Sequence, residues 1–357
     1  MNNTDYIIIG QGLAGSLLSL KLMERGRKVM VYDLPSKNQS SSVAAGLYNP
    51  ITGKRMVKTW KADLLWKEME MFYTQFEKQQ NCKLLYDLPQ FRPFLSKEEL
   101  HSYANGDAED LFGPFLDQVA TSHSSSEINA PFGGIWVKKS GYVDIPMFLD
   151  KVRQHLILNN SYSETLVEMN ELKSESSTIS IQGSSNVKVI LADGWTSSKG
   201  PFFNWIPFQP VKGEVLIADN SIKLNHLVNR GVFILPHHSG ILKIGSTYEN
   251  RFQNHAPSEE GYKQLIEKVK MIFKGPIRVQ NHIAGIRPAI RDRKPVLGRH
   301  PFYENLFTFN GLGAKGVTLG PYFADQMVEF IENQVPIDPE VSLERFYSLY
   351  LKQEKAR

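Results

Sequence analysis

The sequence predicts an α/β + α+β molecule, a discontinuous α/β domain into which an antiparallel-sheet domain is inserted. Three observations carry this expectation. A strand, glycine turn, helix and second strand open the chain at Tyr6 to Asp33. Extended apolar runs fill the middle, and a second glycine-rich turn leads into a helix at Asn310 to Ile331. Two such turns at opposite ends imply that the first and last thirds fold together. The expected boundaries are 1–85, 140–200 and 285–357 for the outer domain, with 86–139 and 201–284 inserted.

Tyr6 to Ile9 is a short apolar run, as a strand buried on both faces requires. Gly10, Gln11, Gly12, Leu13, Ala14 and Gly15 follow as G-x-G-x-x-G, and Leu13 to Arg25 reads as a helix stopped at Gly26. Lys28 to Tyr32 reads as the second strand, ending at Asp33. This is a Rossmann-like unit. Gly10 permits the turn, Gly12 admits a diphosphate, Gly15 allows close helix packing, and Asp33 accepts ribose hydroxyls. An acid at that place disfavours a 2′-phosphate but leaves NAD and FAD both open.

Further along, Lys37 to Ser42 and Thr121 to Ala130 are serine-rich and read as loops, and Ser174 to Thr178 as a polar turn. Leu65, Met69, Phe72 and Phe76 recur at helical spacing, an aromatic stripe that belongs to the core. Val187 to Ala192 reads as a strand turning at Asp193-Gly194. Val211 to Ile217, Gly231 to Leu235 and Ile241 to Ser246 read as antiparallel strands. Tyr262, Leu265, Ile266, Val269 and Ile272 mark a later helix.

Composition excludes several classes. In 357 residues, 41% hydrophobic and 22% charged is the balance of a globular protein. Lys+Arg less Asp+Glu is 41 − 37 = +4, too mild for a dedicated nucleic-acid binder. Cys82 is the one cysteine, which rules out an internal disulfide and a cysteine-cluster metal site. No apolar run is long enough to span a membrane, and the first residues lack a signal peptide's pattern, so a cytoplasmic location is expected.

Five blocks in order give the chain its resemblance to the D-amino-acid oxidase/glycine oxidase family of FAD-dependent amine oxidoreductases. They are Gly10–Gly15 with Asp33; Ser42-Val-Ala-Ala-Gly46-Leu; Gly141-Tyr-Val-Asp144-Ile-Pro146; Gly285-Ile-Arg287-Pro288 with Asp292 and Pro295-Val-Leu-Gly298; and Asn310 to Thr318. An NAD-dependent enzyme would leave the second and fifth without a role. The resemblance implies non-covalent FAD, since Cys82 lies away from every block. Gln11 to Ala14 would meet its diphosphate, Asp33 and Leu34 its ribose, and Val167 its adenine. Ser42, Ala44, Ala45, Gly46 and Leu47 would line the flavin, and Gly194 would close a turn beside the diphosphate. Gly311, Leu312, Gly313, Ala314, Lys315, Gly316, Val317 and Thr318 would wrap the pyrimidine edge.

By the same resemblance, Arg287 pairs with a substrate carboxylate, and a guanidinium fork matches that group bidentately. Lys315 and a helix N-terminus would stabilise negative charge on the reduced ring. The implied reaction is oxidation of a small carboxylate-bearing amine to an imine, with O₂ or a quinone as acceptor and no general base. Relatives that oxidise amino acids carry a tyrosine where this chain has Phe233. Tyr48, Tyr248 or His237 would then supply the missing hydroxyl or N–H donor, or the flavin site has lost turnover. The Gly46–Pro50 and Gly311–Gly316 blocks also resemble the flavin domain of bifunctional wobble-uridine-modifying tRNA enzymes, and Lys54-Arg55-Met-Val-Lys58 adds local positive charge. The adjacent His237 and His238 show no third ligand in sequence, so no metal is expected.

Overall fold

The computed structural model describes residues 4–36, 39–53, 56–104, 111–181 and 186–355. Two sheets organise them. In the first, five strands run parallel in the order Tyr162–Glu164, Val29–Asp33, Tyr6–Ile9, Lys188–Leu191 and Leu306–Asn310. Val296–Arg299 closes this sheet as an antiparallel edge. Tyr6–Ile9 is buried along its whole length, which explains its unbroken apolar sequence.

The Leu13–Glu24 helix buries Leu17, Leu18 and Leu22 completely. It packs against the Gly316–Asn333 helix, where a Cβ at Gly320 would lie 2.3 Å from Leu17 Cδ1. The first and last glycine-turn helices therefore share one core, as their positions in sequence imply. Gly26 takes φ +73°, which ends the first helix where expected.

The second sheet has eight strands. From one edge they are Val279–Arg287, Val211–Asp219, Ile241–Gly245, Phe233–Pro236, Leu227–Asn229, Gln90–Pro93, Gly134–Val137 and Leu116–Ala120. It departs from the expected antiparallel pattern at one pairing, Leu227–Asn229 with Gln90–Pro93, which is parallel. That pairing joins two chain segments that no hairpin connects. The Glu259–Ile272 helix covers one face, burying Leu265, Val269 and Ile272 as its spacing predicts.

Two expectations change. The boundary drawn at residue 285 falls inside the Val279–Arg287 strand, which pairs with Val211–Asp219 as far as Val211↔Arg287. Gly285, Ile286 and Arg287 thus belong to the eight-stranded sheet. The serine-rich stretch before Val43 forms a short helix, Ser40–Val43, while Lys37 and Asn38 lie outside the described residues, as do Lys54 and Arg55. The aromatic stripe is core: Phe72, Tyr73, Phe76 and Phe148 pack with ring centroids 5.0–6.3 Å apart.

Candidate active site

A cavity of about 580 Å³ runs from the carboxyl ends of the parallel strands to the near face of the eight-stranded sheet. This is where an open α/β sheet binds ligands, at the point where strand order reverses. One end is built by the opening motif. Gly10, at φ +103°, lets the chain turn off its strand, and a Cβ there would lie 2.6 Å from the Ala192 carbonyl oxygen. A Cβ at Gly15 would lie 1.9 Å from the Gly10 oxygen, so only glycine lets the helix start this close to the strand. Gly12, Leu13 and Ala14 then present the positive helix end to the cavity.

Asp33 is 7% exposed and lines the same end. Its Oδ1 accepts from the Gln11 N–H at 2.9 Å, while its Oδ2 is buried without a partner. Burial raises its pKa, opposed by the Gln11 N–H and by Arg153. A buried carboxylate oxygen without a partner is costly unless a ligand donor completes it. Leu34, Val167 and Gly194 line this end, joined by Trp195 and His255, whose rings meet edge to face at 4.9 Å. Asp193 also lines it. Burial pushes its pKa up to about 6, while Ser197 and Thr196 hydrogen bonds oppose the rise.

At the other end Arg287 faces the cavity with Phe233, Gly213 and Ser246. Its guanidinium donates to Ser246 Oγ at 2.6 Å and to the Thr247 carbonyl at 3.3 Å, and it lies 5.8 Å from the Tyr248 ring centroid. Burial lowers its pKa, partly offset by Tyr248. Asp292, the nearest acid in sequence, is instead paired with Arg345 at 2.9 Å. No ion pair engages Arg287 among the described residues. Between the two ends, Ala44 to Leu47 and Leu312, Gly313, Ala314, Gly316 and Val317 form the walls.

A family model described as FAD dependent oxidoreductase (DAO) matches residues 5–330. The chain belongs to that family. Among its relatives, glycine oxidase of Bacillus licheniformis is 33% identical over 128 residues, 35% of each chain. A tRNA 5-methylaminomethyl-2-thiouridine biosynthesis bifunctional protein MnmC, from Legionella pneumophila, is 22% identical over 93% of this chain and 55% of its own. The chain thus spans about half or less of the length of these curated relatives. Glycine oxidase from Bacillus cereus shares the fold with a TM-score of 0.78 at 21% identity, covering 93% of this chain and 96% of that one. Iminodiacetate oxidase from Chelativorans sp. BNC1 aligns with a TM-score of 0.77 at 17% identity, covering 96% and 98%.

The family's cofactor is FAD, and the residues present fit it: a glycine cradle at one helix end, an orphaned Asp33 oxygen beside it, and a long cavity beyond. Several residues expected at the site do not line the cavity. Gln11 is wholly buried, donating to Ser16 Oγ and the Leu149 carbonyl and accepting from Arg153 Nε at 2.9 Å. Gly15 and Gly311 lie behind the wall, and Thr318 is buried within the helix. Ser42 is exposed, and its neighbour Ser41 lines the cavity instead, accepting from the Leu13 N–H at 3.0 Å. Lys315 extends toward Thr52 Oγ1 at 3.5 Å, its pKa lowered by burial and by Arg293.

Tyr48 is turned into the core, where its hydroxyl donates to Asp87 and lies 3.2 Å from the Tyr86 carbonyl. Tyr248 is 55% exposed and reaches the site through Arg287 alone. Sequence reasoning missed Gly213 and Ser246, which strand register brings beside Arg287 from elsewhere in the chain. It also missed a third group beside His237 and His238. Asp144 Oδ2 lies 3.9 and 3.6 Å from their Nε2 atoms.

Proposed function

We propose that the chain oxidises a small amine carrying a carboxylate to the corresponding imine. The observation that carries this is Arg287, a half-buried guanidinium facing the cavity with no acidic partner among the described residues. Two hydrogen bonds to Ser246 and Thr247 fix its plane, and the donors left over suit a carboxylate. A carboxylate held in two places fixes how the α-carbon is presented within the cavity.

FAD, when bound, supplies the two-electron acceptor that takes the α-hydrogen of a neutral amine as hydride. The nitrogen lone pair then closes the C=N bond, and water hydrolyses the released imine. The amine gives up its proton to solvent beforehand, so the chain needs no base. Phe233 adds an apolar ring to the wall at the Arg287 end. The start of the Gly316–Asn333 helix, with Gly316 and Val317 on the cavity, favours negative charge there. Asp33 and the Gly12–Ala14 turn serve the adenosine and diphosphate of the cofactor.

Binding of a small carboxylate that cannot be oxidised tests the arginine directly. Acetate or glycolate should perturb the flavin spectrum of the wild type, and Arg287→Ala should weaken binding by roughly 10–100-fold with flavin content unchanged. Equal affinity in the two proteins would overturn the assignment. A second reading rests on the match to MnmC over 93% of the chain: the same amine chemistry on a tRNA wobble uridine. It predicts tRNA binding that falls steeply with salt.

A further inference from the structure

Outside the cavity, three side chains from two parts of the fold converge. Asp144 follows the Gly141–Val143 strand and caps the Ile145–Leu158 helix, its Oδ1 accepting from the Met147 N–H at 3.2 Å. His237 and His238 sit on the turn between the Phe233–Pro236 and Ile241–Gly245 strands. Asp144 Oδ2 is 3.9 Å from His237 Nε2 and 3.6 Å from His238 Nε2, and all three atoms lie within 4.8 Å of one another. These separations are too long for hydrogen bonds. Donors that each sit about 2.0–2.2 Å from one ion at tetrahedral to trigonal angles are roughly 3.3–3.8 Å apart.

Each imidazole has an oxygen within hydrogen-bond distance of its Nδ1. His237 Nδ1 lies 2.8 Å from Ser239 Oγ, and His238 Nδ1 lies 3.0 Å from the Tyr142 hydroxyl. The Ser239 N–H donates to His237 Nδ1 at 3.3 Å, and the Tyr142 hydroxyl accepts from the His238 N–H at 2.9 Å. A bound ion would select the tautomer in which each Nδ1–H is donated to its neighbouring oxygen and each Nε2 is free to coordinate, the outer arrangement metal-binding histidines use. The His237 side chain is 8% exposed, yet its Nε2 has no hydrogen-bond partner. The His238 ring is held flat against Tyr86 at 4.5 Å and 3°, and Tyr86 stacks in turn on Tyr142 at 4.8 Å.

We propose that Asp144, His237 and His238 bind a divalent transition ion of the zinc class, with water completing its coordination. Two imidazoles and one carboxylate are a donor set such ions take in preference to Mg²⁺ or Ca²⁺. The ion ties the hairpin turn of the eight-stranded sheet to the strand end at Asp144. Tyr142, two residues back, pairs with Leu47 in the cavity wall, so the tie braces that wall from behind. Lys243 is the competing cation: Asp144 favours its charged form, while burial disfavours it more. The inference is independent of the substrate.

The test uses the full-length flavoprotein without an affinity tag, freed of metal by a chelator and titrated with Zn²⁺. The expected result is one Zn²⁺ per chain and a higher thermal midpoint. His238→Ala, a partly exposed position, should weaken Zn²⁺ binding at least about tenfold and abolish the gain in midpoint while keeping its flavin. Co²⁺ in the wild type should give the intense visible bands of a tetrahedral site, a readout that needs no variant. No stoichiometric Zn²⁺ in the wild type, or equal affinity in His238→Ala, would overturn the proposal.

Discussion

Arg287 lies where a side chain on Gly213 would go: a Cβ there would be 2.1 Å from Nη2 and 2.4 Å from Cζ. The register Val211↔Arg287 and Gly213↔Gly285 sets this crossing, with the guanidinium lying back over the neighbouring strand. Gly213→Ala should therefore displace the guanidinium without touching the cofactor end. Steady-state kinetics should show a KM for the amine raised at least about tenfold, with flavin content unchanged. Asp33→Asn acts at the opposite end. It removes the charge from the one oxygen left for the ribose, and equilibrium titration should show FAD binding weakened by roughly 10–100-fold. Asp33 is readable in sequence because its motif is contiguous. Gly213 is not, because its reason for being glycine is a side chain more than seventy positions away. Tyr48 was misleading for the same reason: adjacency to the flavin block does not show that its hydroxyl turns to Asp87.

At the scale of elements, the helix that opens the cofactor site is held by contacts no other residue allows. Gly15→Ala places a methyl 1.9 Å from a backbone oxygen, so the helix start must move. The expected cost is about 1–3 kcal/mol in chemical unfolding, with loss of bound flavin. The residue that follows the Val296–Arg299 strand supplies a pH effect. His300 is buried among Phe203, Trp205 and Tyr350, and its Nδ1 accepts from the Phe302 and Tyr303 N–H groups. Burial lowers its pKa from 6.5 to about 4. The unfolded chain thus binds the proton first as pH falls. Stability from this group is complete above about pH 6.5 and is lost toward pH 4, by roughly 3 kcal/mol. His300→Asn keeps an acceptor and removes the titration, so unfolding measured across that range should show a flatter slope. Helices and strands were legible from periodicity. The Ser40–Val43 turn was not, since serine-rich composition signals a loop and only its packing beside the Val279–Arg287 strand makes it helical.

For the whole molecule, the two sheets matter as partners: one supplies the proposed cofactor cradle, the other carries the arginine, and residues of both line the cavity. The two glycine-rich turns announced the first sheet because each is local. The limit of the second sheet at Arg287 was missed because the motif that contains it crosses from strand to turn. The Asp144, His237 and His238 cluster was likewise invisible, since its members come from segments more than ninety residues apart. In the proposed function Arg287 positions a carboxylate-bearing amine for oxidation in this cavity. Adding glycine, sarcosine, proline and D-amino acids under anaerobic conditions, with the visible flavin spectrum as readout, tests it most directly. At least one of these should bleach the wild type, and Arg287→Ala should keep its flavin but stay unbleached at the same concentration. Flavin bands that persist with every amine, or equal bleaching in the variant, would contradict it.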